Sequence, residues 1–434
     1  TKRRMENLKT HPIVYVSRDI ERVLGLPLDT PGYFIISNST PFAKAAADGR
    51  KNVLLIETGG ILDTHELLTN RATQQQINSW KNPDILVFKN TPRIERICAG
   101  SNWKLLNPPA ALASKVEEKI SQVEWLEDLA TYLPAHKVET GKEVKWSGKP
   151  FILQFNRAHT GSGTILINSA EQMCEIQKQF PNRPARIMNY IAGPVFTSNN
   201  VVAKSNVLVG NISYQITGLA PFTNQPFATI GNDWALPAKL LPDRQLAKFH
   251  EIVKSIGKKL QAEGWRGLFG VDIILDDTTG ELYLIEINAR QPASTSYETW
   301  LQNMRTTKNA KLRKRKTTTF KAHLMSLLGI DCAGQELITI DDGAQIILRN
   351  GAVAYTKNSI SKIVAGLTEQ HFRVIEYANV KPEADLLRIQ SEKGIMKKHG
   401  VFNKKGVKIK NVIERGLNGL NGLKLINQDP FRSV

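Results

Sequence analysis

The sequence has 434 residues, of which 41% are hydrophobic and 23% are charged. A chain of this length exceeds what one hydrophobic core usually supports, so we expect two to four domains with ligand-binding clefts between them. No stretch approaches the roughly 20 consecutive apolar residues of a membrane span, which excludes a membrane partner. The amino-terminal residues are not followed by the apolar segment of a secretory signal.

The net charge of +18 is unevenly distributed. Residues 305–321 carry eight Lys or Arg and no acid, and residues 388–415 carry nine against two acids, so these segments account for 15 of the 18 positive charges. The rest of the chain is nearly balanced. Such a balance is typical of an enzyme that binds a small anion rather than of a protein that is basic throughout.

The three cysteines, Cys98, Cys174 and Cys332, are far apart and lack the CxxC spacing of zinc and redox sites. We expect them to be small buried hydrophobes. Their use favours a reducing, cytoplasmic location.

Residues 1–106 are predicted to form an amino-terminal α/β domain. Short apolar runs alternate with polar, helix-compatible segments, and such runs are typical of buried parallel strands. No GxGxxG motif follows any of them, so a dinucleotide site is not supported. The predicted strands are Ile13–Val16, Gly32–Ile36, Asn52–Glu57 and Asp84–Phe88.

Residues 107–330 are predicted to form a second domain, which begins with a helical stretch and contains a lid at about 140–190. Two strands, 149–153 and 165–167, flank a glycine-rich run and indicate a hairpin with a mobile tip. Helices are predicted at 243–263, where apolar residues recur at helical spacing, and at 319–328 after the basic insertion 305–321. Residues 331–434 are assigned to a basic carboxy-terminal α/β domain with strands near 344–349, 352–355 and 372–377.

The most informative segment is Gly270–Arg290, which predicts two strands joined by the turn 276–280. Glu286, Asn288 and Arg290 alternate with Ile285 and Ile287, so we expect the polar side chains on one face and the isoleucines on the other. Asp272 is expected opposite Glu286. Two carboxylates that close repel each other unless a cation lies between them. An oxygen-rich site of this kind favours Mg²⁺ (or Mn²⁺) bound together with substrate phosphates.

This arrangement, Gly-Val-Asp and three apolar residues followed by Leu-Ile-Glu-Ile-Asn-Ala-Arg, resembles the metal-binding signature of ATP-grasp enzymes such as biotin carboxylase, carbamoyl phosphate synthetase and carboxylate-amine ligases. The resemblance implies an α/β ATP-grasp fold with an amino-terminal domain, a lid and a small carboxy-terminal domain. It also implies ATP as cofactor. Asp272, Glu286 and Asn288 would bind Mg²⁺, and Arg290 would contact phosphate or an acyl-phosphate intermediate.

The same resemblance assigns nucleotide contacts to a lysine before the lid and to several residues within the lid. Lys115 matches a lysine that touches the α- or β-phosphate. Gln154 stands where the family usually has a second lysine, and this departure leaves open whether Arg157 or Lys149 compensates for the lost charge. Glycine lets backbone N–H groups approach phosphates, and hydroxyls add donors; the residues concerned are Gly161, Ser162, Gly163 and Thr164.

Residues 186–193 resemble the segment that lines the adenine pocket. The candidates for adenine contact are Met188, Asn189, Tyr190 and Ile191, although a plain buried strand explains them as well. Lys204, Lys239 and the cluster Ser294–Ser296 could hold an anionic substrate.

The implied activity is ligation: ATP activates a carboxylate as an acyl-phosphate, and an amine then attacks it to give an amide, ADP and phosphate. Small-molecule carboxylates and amines, with an amino acid or peptide preferred, are the expected partners. A homodimer is compatible with the sequence. Two alternatives stay open: a nucleic-acid-binding protein that uses the basic segment 305–321, and an ATP-grasp protein that senses nucleotide without turnover.

Overall fold

The computed structural model describes residues 8, 12–80, 82–156, 164–308, 315–351, 355–377, 379 and 383–418. Internal contacts divide the chain into two units. The first comprises Thr1–Ile212 and Leu241–Ile340, and the second comprises Ser213–Leu240 and Asp341–Val434. Among the described helices, none is both long and apolar enough to cross a membrane.

The first layer of unit 1 is a parallel four-stranded sheet, as predicted. Neighbouring residues on its first strand point to opposite sides: Ile13 and Tyr15 belong to one hydrophobic core, and Val14 and Val16 belong to another. Burial on both faces explains why the strands read as continuous apolar runs. In sheet order the strands are Val53–Ile56, Tyr33–Asn38, Ile13–Ser17 and Asp84–Leu86. The helices of this layer are Ile20–Val23 (3-10), Pro41–Ala47, Thr64–Thr69, Arg71–Ser79 and Pro92–Gly100.

The lid of unit 1 is an antiparallel four-stranded sheet with one helix, Ala170–Gln179. Ser169 begins that helix by accepting a hydrogen bond from the Gln172 N–H. The predicted hairpin is present. In sheet order the strands are His136–Thr140, Pro184–Asn189, Phe151–Phe155 and Thr164–Ile167. The helices that precede the lid are Ala110–Glu117, Ser121–Leu126 and Glu127–Tyr132 (3-10).

The body of unit 1 carries the long hairpin, with strands in the order Leu282–Asn288, Gly267–Leu275, Val195–Val202 and Val207–Leu208. The predicted helix 243–263 is Asp243–Ala262, and its apolar side chains, including Phe249 and Ile256, are fully buried. Gly264 follows with a φ of 84°, a conformation that favours glycine after a helix end. The remaining elements are the helices Thr295–Lys308 and Thr319–Leu327 and the paired strands Lys316–Thr317 and Glu336–Leu337.

Unit 2 contains an antiparallel sheet with strands in the order Ile212–Thr217, Thr229–Asp233, Ala344–Arg349, Asp385–Ser391 and Arg373–Glu376. Two of the predicted carboxy-terminal strands are therefore present. In the third, residues 352–354 lie outside the described residues. The other elements are Pro237–Leu240 (helix), Lys357–Glu369 (helix), Met396–Lys398 and Val401–Phe402 (hairpin) and Lys404–Asn418 (helix).

The α/β fold class is confirmed, but the contact-based units group 213–240 with the carboxy-terminal part, which no sequence pattern indicated. The predicted boundaries near 107 and 331 therefore stay predictions. Cys98 and Cys332 are buried, whereas Cys174 is exposed on the lid helix, so the expectation of burial was wrong for Cys174.

Candidate active site

The hairpin Gly267–Leu275 and Leu282–Asn288 places Asp272 directly opposite Glu286, which confirms the predicted register. The turn fixes that register. The Asp276 carboxylate accepts hydrogen bonds from the backbone N–H of Thr278, at 2.8 Å, and from the Thr279 hydroxyl, at 2.9 Å, and Gly280 closes the turn with a φ of 72°.

The predicted strict alternation of side chains fails at Ile285. Asp272 pairs with Glu286 but Ile273 pairs with Leu284, so Ile285 is an extra residue in a β-bulge. Leu284 and Ile287 are fully buried, while Ile285 is only half-buried. A bulge re-aims neighbouring side chains, and it leaves the Ile285 carbonyl free to accept a hydrogen bond from Arg186, at 3.3 Å.

The three predicted metal ligands lie on adjacent positions of this hairpin. Asp272 is 7% exposed, and the Asn288 Nδ2 atom donates to its Oδ2 at 3.3 Å. Asn288 therefore presents its Oδ1 as a further oxygen. No cluster of three or more His, Cys, Asp or Glu suited to a metal occurs in the described part of the chain. Two carboxylates and one amide fit Mg²⁺, which takes its other ligands from phosphates and water.

Lys119 forms an ion pair with one of these carboxylates. Its Nζ lies 2.9 Å from Oε1 of Glu286, and its side chain is only 14% exposed. Burial alone would raise the pKa of Glu286, but Lys119 and then Arg290 outweigh that effect and hold this pKa below its usual value. Glu286 therefore stays ionised, as its predicted role as a metal ligand requires.

Arg290 is anchored by a buried acid, Glu117. One Glu117 oxygen accepts a hydrogen bond from Arg290, and the other lies 2.5 Å from Nζ of Lys89. The Glu117 side chain is 9% exposed. Gln291 fixes the backbone next to Arg290, because its amide donates to the Arg22 carbonyl at 2.8 Å and accepts from the Tyr15 hydroxyl. The charge-assisted hydrogen bond between Arg290 and Glu117 holds the guanidinium in one orientation.

Lys115, the predicted phosphate ligand, lies elsewhere. Its side chain is 54% exposed, and its Nζ is 3.9 Å from a Glu263 oxygen. The structure brings Lys119, four positions later, to Glu286 instead. The contact of Lys115 with phosphate stays a prediction.

Arg186 is a fully buried cation between the lid and the hairpin. Gln154 accepts two of its hydrogen bonds, at 3.1 and 2.6 Å. Burial lowers the pKa of Arg186 to about 10, against a smaller opposite effect of Glu286, so it remains charged at neutral pH. Thr164 bonds to Gln154, whereas Arg157, Gly161, Ser162 and Gly163 lie outside the described residues.

The proposed adenine segment forms the end of the strand Pro184–Asn189. Met188 is buried and Ile191 is half-buried, while Asn189 is exposed and Tyr190 is 40% exposed. The Asn189 N–H donates to the Ala135 carbonyl. An apolar side chain and an open aromatic one are compatible with a flat base, and the assignment stays a prediction.

The proposed substrate cluster Ser294–Ser296 is used internally. Ser294 donates to Asn199 at 3.1 Å, and Ser296 donates to the Arg22 carbonyl at 2.9 Å. Lys204 and Lys239 are exposed, and their contact with a substrate stays a prediction. A small cavity lies next to Arg290, with room for about one water molecule. Its lining includes Asn90, Trp265, Arg290 and His323.

Sequence patterns missed Lys119, Glu117, Lys89 and Arg186. Glu117 and Arg290 are 173 positions apart, so no local pattern links them. The only available signal for Lys119 was its place just after the first helix of the second domain.

Residues 116–294 match the protein family described as "ATP-grasp domain". This segment of the chain is therefore an ATP-grasp domain, and the resemblance drawn from the hairpin residues is confirmed. No curated protein matches the chain.

Solved structures extend the likeness to nearly the whole chain. A carboxyaminoimidazole ribonucleotide synthase from Aspergillus clavatus, complexed with ATP, is similar with a TM-score of 0.63 and 15% identity, covering 95% of this chain and 99% of that one. An N5-carboxyaminoimidazole synthetase from Staphylococcus aureus gives a TM-score of 0.61 and 12% identity, with 93% and 97% covered. A phosphoribosylamine–glycine ligase from Thermotoga maritima gives 0.59 and 15%, with 93% and 96% covered. At these identities the likeness shows the fold, which is that of ATP-grasp ligases, as predicted.

Proposed function

We propose that this protein is an ATP-dependent ligase that activates a carboxylate as an acyl-phosphate and joins it to an amine. The observation that carries the proposal is the pairing of Asp272 with Glu286 inside the ATP-grasp domain, with Lys119 and Arg290 beside them. Negatively and positively charged side chains arranged in this way suit phosphoryl transfer, which depends on positioning and electrostatics more than on covalent chemistry.

The nucleotide would bind between the lid and the hairpin. Asp272, Glu286 and Asn288 would hold Mg²⁺, which when bound shields the phosphate charge from an incoming anion. Lys119 lies close enough to Glu286 that it would contact a phosphate oxygen bound to the same Mg²⁺. Thr164 and Gln154 offer donors from the lid.

The proposed reaction has two steps. A carboxylate oxygen of the substrate attacks the γ-phosphorus, the bond to the β-phosphate oxygen breaks, and ADP leaves. The amine nitrogen then attacks the acyl carbon, phosphate leaves with the bonding electron pair, and the nitrogen loses a proton. Arg290, held by Glu117, would bind the negative charge of the acyl-phosphate.

The cavity next to Arg290 is also lined by a second arginine, Arg266, and by His323. His323 in its wall is buried, and burial lowers its pKa to about 3. Its Nδ1 accepts a hydrogen bond from the Leu268 N–H at 3.0 Å. The histidine is therefore neutral at physiological pH, so Arg290 and Arg266 carry the positive charge beside this cavity.

We propose a carboxylate and an amine as the two substrates. The similar structures include a carboxyaminoimidazole synthase bound to ADP and 5-aminoimidazole ribonucleotide and a phosphoribosylamine–glycine ligase. Phosphoribosyl amines therefore join amino acids and peptides as amine candidates. Bicarbonate joins the carboxylates, because a carboxyamino group is an amine bonded to the carbon of bicarbonate.

The test is a screen for phosphate and ADP release from Mg-ATP across pairs of these carboxylates and amines. We expect release with at least one pair, and loss of that release in Glu286→Ala. The matched control is Glu281→Ala, because Glu281 is an exposed acid that precedes the same strand. If wild type and Glu286→Ala release phosphate equally for every pair, the protein is not this ligase, and ATP binding without turnover would favour the nucleotide sensor.

A further inference from the structure

Three side chains form a row across the lid sheet. Gln154 lies directly opposite Arg186 on one neighbouring strand and directly opposite Thr164 on the other. Residues that face each other across antiparallel strands project to the same side of the sheet. Thr164, Gln154 and Arg186 therefore share one face, at the point where the glycine-rich run ends.

The orientation of the Gln154 amide is fixed by Arg186. Nε and Nη2 of Arg186 both bond to Oε1 of Gln154, at 3.1 and 2.6 Å. A guanidinium has only donors, so the amide oxygen must face it and the amide nitrogen must face away. That nitrogen donates to the Thr164 hydroxyl at 3.0 Å. Gln154 is thus held as a donor toward Thr164, with a second N–H to offer.

Arg186 contributes a charge that its own contacts do not neutralise. Its hydrogen-bond acceptors are Oε1 of Gln154, Oε1 of Gln122 at 3.0 Å and the Ile285 carbonyl. All three are uncharged. A buried charge is costly unless another charge compensates it. Glu286 attracts Arg186 electrostatically, but Glu286 is already paired with Lys119.

We propose that Gln154 donates a hydrogen bond to a phosphate of the nucleotide and that Arg186, acting through Gln154, is the positioning residue that supplies the positive charge. This inference rests on the proposed ATP-dependent function. A single lysine can provide both a donor and a charge, whereas here the donor and the charge reside on two neighbouring side chains.

Gln154→Glu separates this role from a structural one. A carboxylate at position 154 gains an ion pair with Arg186, so a purely structural contact is kept or strengthened and Tm does not fall. The carboxylate has no donor and neutralises Arg186. We expect ATP and ADP to bind at least about tenfold more weakly, which is roughly 1.4 kcal/mol, while adenosine, which has no phosphate, binds with unchanged Kd.

The matched control is Gln179→Glu, which makes the same substitution at an exposed position on the lid helix. It adds the same negative charge to the lid at a position away from the row, so its affinity for ATP should equal that of wild type. Calorimetry with ATP, ADP and adenosine gives all the required constants.

A second pair of variants tests the charge itself. Arg186→Gln removes the cation and should weaken ATP binding, and adding Gln154→Lys restores a cation and a donor at the lid and should recover most of the affinity. Equal ATP affinity in wild type and Gln154→Glu would overturn the inference, as would a double variant no better than Arg186→Gln. Absence of ATP binding in wild type would instead overturn the proposed function, and this inference with it.

Discussion

The Lys119 ammonium lies 2.9 Å from Oε1 of Glu286, the carboxylate that faces Asp272 across the hairpin. A lysine this close competes with a divalent cation for the carboxylate, and it can also pair with the phosphates that such a cation brings. The binding of Mg-ATP is therefore expected to exchange one partner of Lys119 for another.

Lys119→Met should change metal and nucleotide binding in opposite directions. Without the competing ammonium, Mn²⁺ alone should bind about threefold to tenfold more tightly, because two unit charges at this distance interact by about 1 kcal/mol even with the full dielectric screening of water. The affinity for ATP should fall by a similar factor. Paramagnetic resonance of Mn²⁺ and calorimetry with ATP measure the two effects.

Lys115→Met is the matched control for that prediction. Lys115 is an exposed lysine whose described ion-pair partner is Glu263, so its loss should leave Mn²⁺ binding unchanged. A change in ATP affinity in Lys115→Met but not in Lys119→Met would show that Lys115 contacts the phosphates, as the sequence predicts, and that Lys119 does not.

Glu117→Gln should lower turnover with little effect on ATP affinity. Glu117 holds Arg290 and Lys89 together, and an amide offers a single, uncharged acceptor. Arg290 would lose its fixed orientation toward the acyl-phosphate, and kcat should fall by about tenfold or more, which is less than the roughly 10²–10³-fold loss on removing an aimed donor altogether. Steady-state phosphate release and the Kd for ATP separate the two quantities. Glu124→Gln, at an exposed position of the next helix, should match wild type in both.

The sequence predicted the part of the site that is local. Asp272 and Glu286 belong to one hairpin, so alternation and turn length were enough to place them opposite each other. Lys119 and Glu117 act through partners far away in the chain, and Lys115 and Lys119 differ in burial rather than in residue type. The bulge at Ile285 also escaped prediction, because an extra residue in a strand leaves no mark on an apolar run.

Glu298 makes the stability of the protein depend on pH. It is fully buried, and burial raises its pKa to about 7 although Asn211, Asn199 and Thr319 donate hydrogen bonds to it. Between the ordinary value of 4.5 and 7, the folded protein binds more protons here than the unfolded chain. The contribution of Glu298 to the free energy of unfolding therefore falls as pH rises through this window, by about 3 kcal/mol in total.

Urea unfolding of wild type and Glu298→Gln at pH 5, 6, 7 and 8 checks this dependence. The variant has no group to titrate at position 298, so the difference in unfolding free energy between the two proteins should shift in favour of the variant as pH rises. Glu336→Gln, which replaces an exposed acid, serves as control. A difference that stays constant over the four pH values would contradict the raised pKa.

Gly193 closes the segment proposed to line the adenine pocket, and it tolerates no side chain. Its φ is 151°, and a Cβ atom there would lie 1.9 Å from the Leu275 carbonyl oxygen. Backbone hydrogen bonds on both sides, from the Leu275 N–H to the Pro194 carbonyl and from the Asp277 N–H to the Ala192 carbonyl, prevent the two segments of the chain from moving apart. Gly193→Ala should therefore lower the free energy of unfolding by about 3 kcal/mol or more.

Gly148→Ala distinguishes the steric contact from backbone strain. Gly148 also has a positive φ, 81°, but a Cβ atom there would meet nothing within 4 Å, so only the left-handed conformation costs energy, about 1–2 kcal/mol. Equal losses in the two variants would show that strain alone governs Gly193. A larger loss of unfolding free energy in Gly193→Ala, together with weaker binding of adenosine, would show that the close approach of the two segments holds the proposed adenine-binding segment in place.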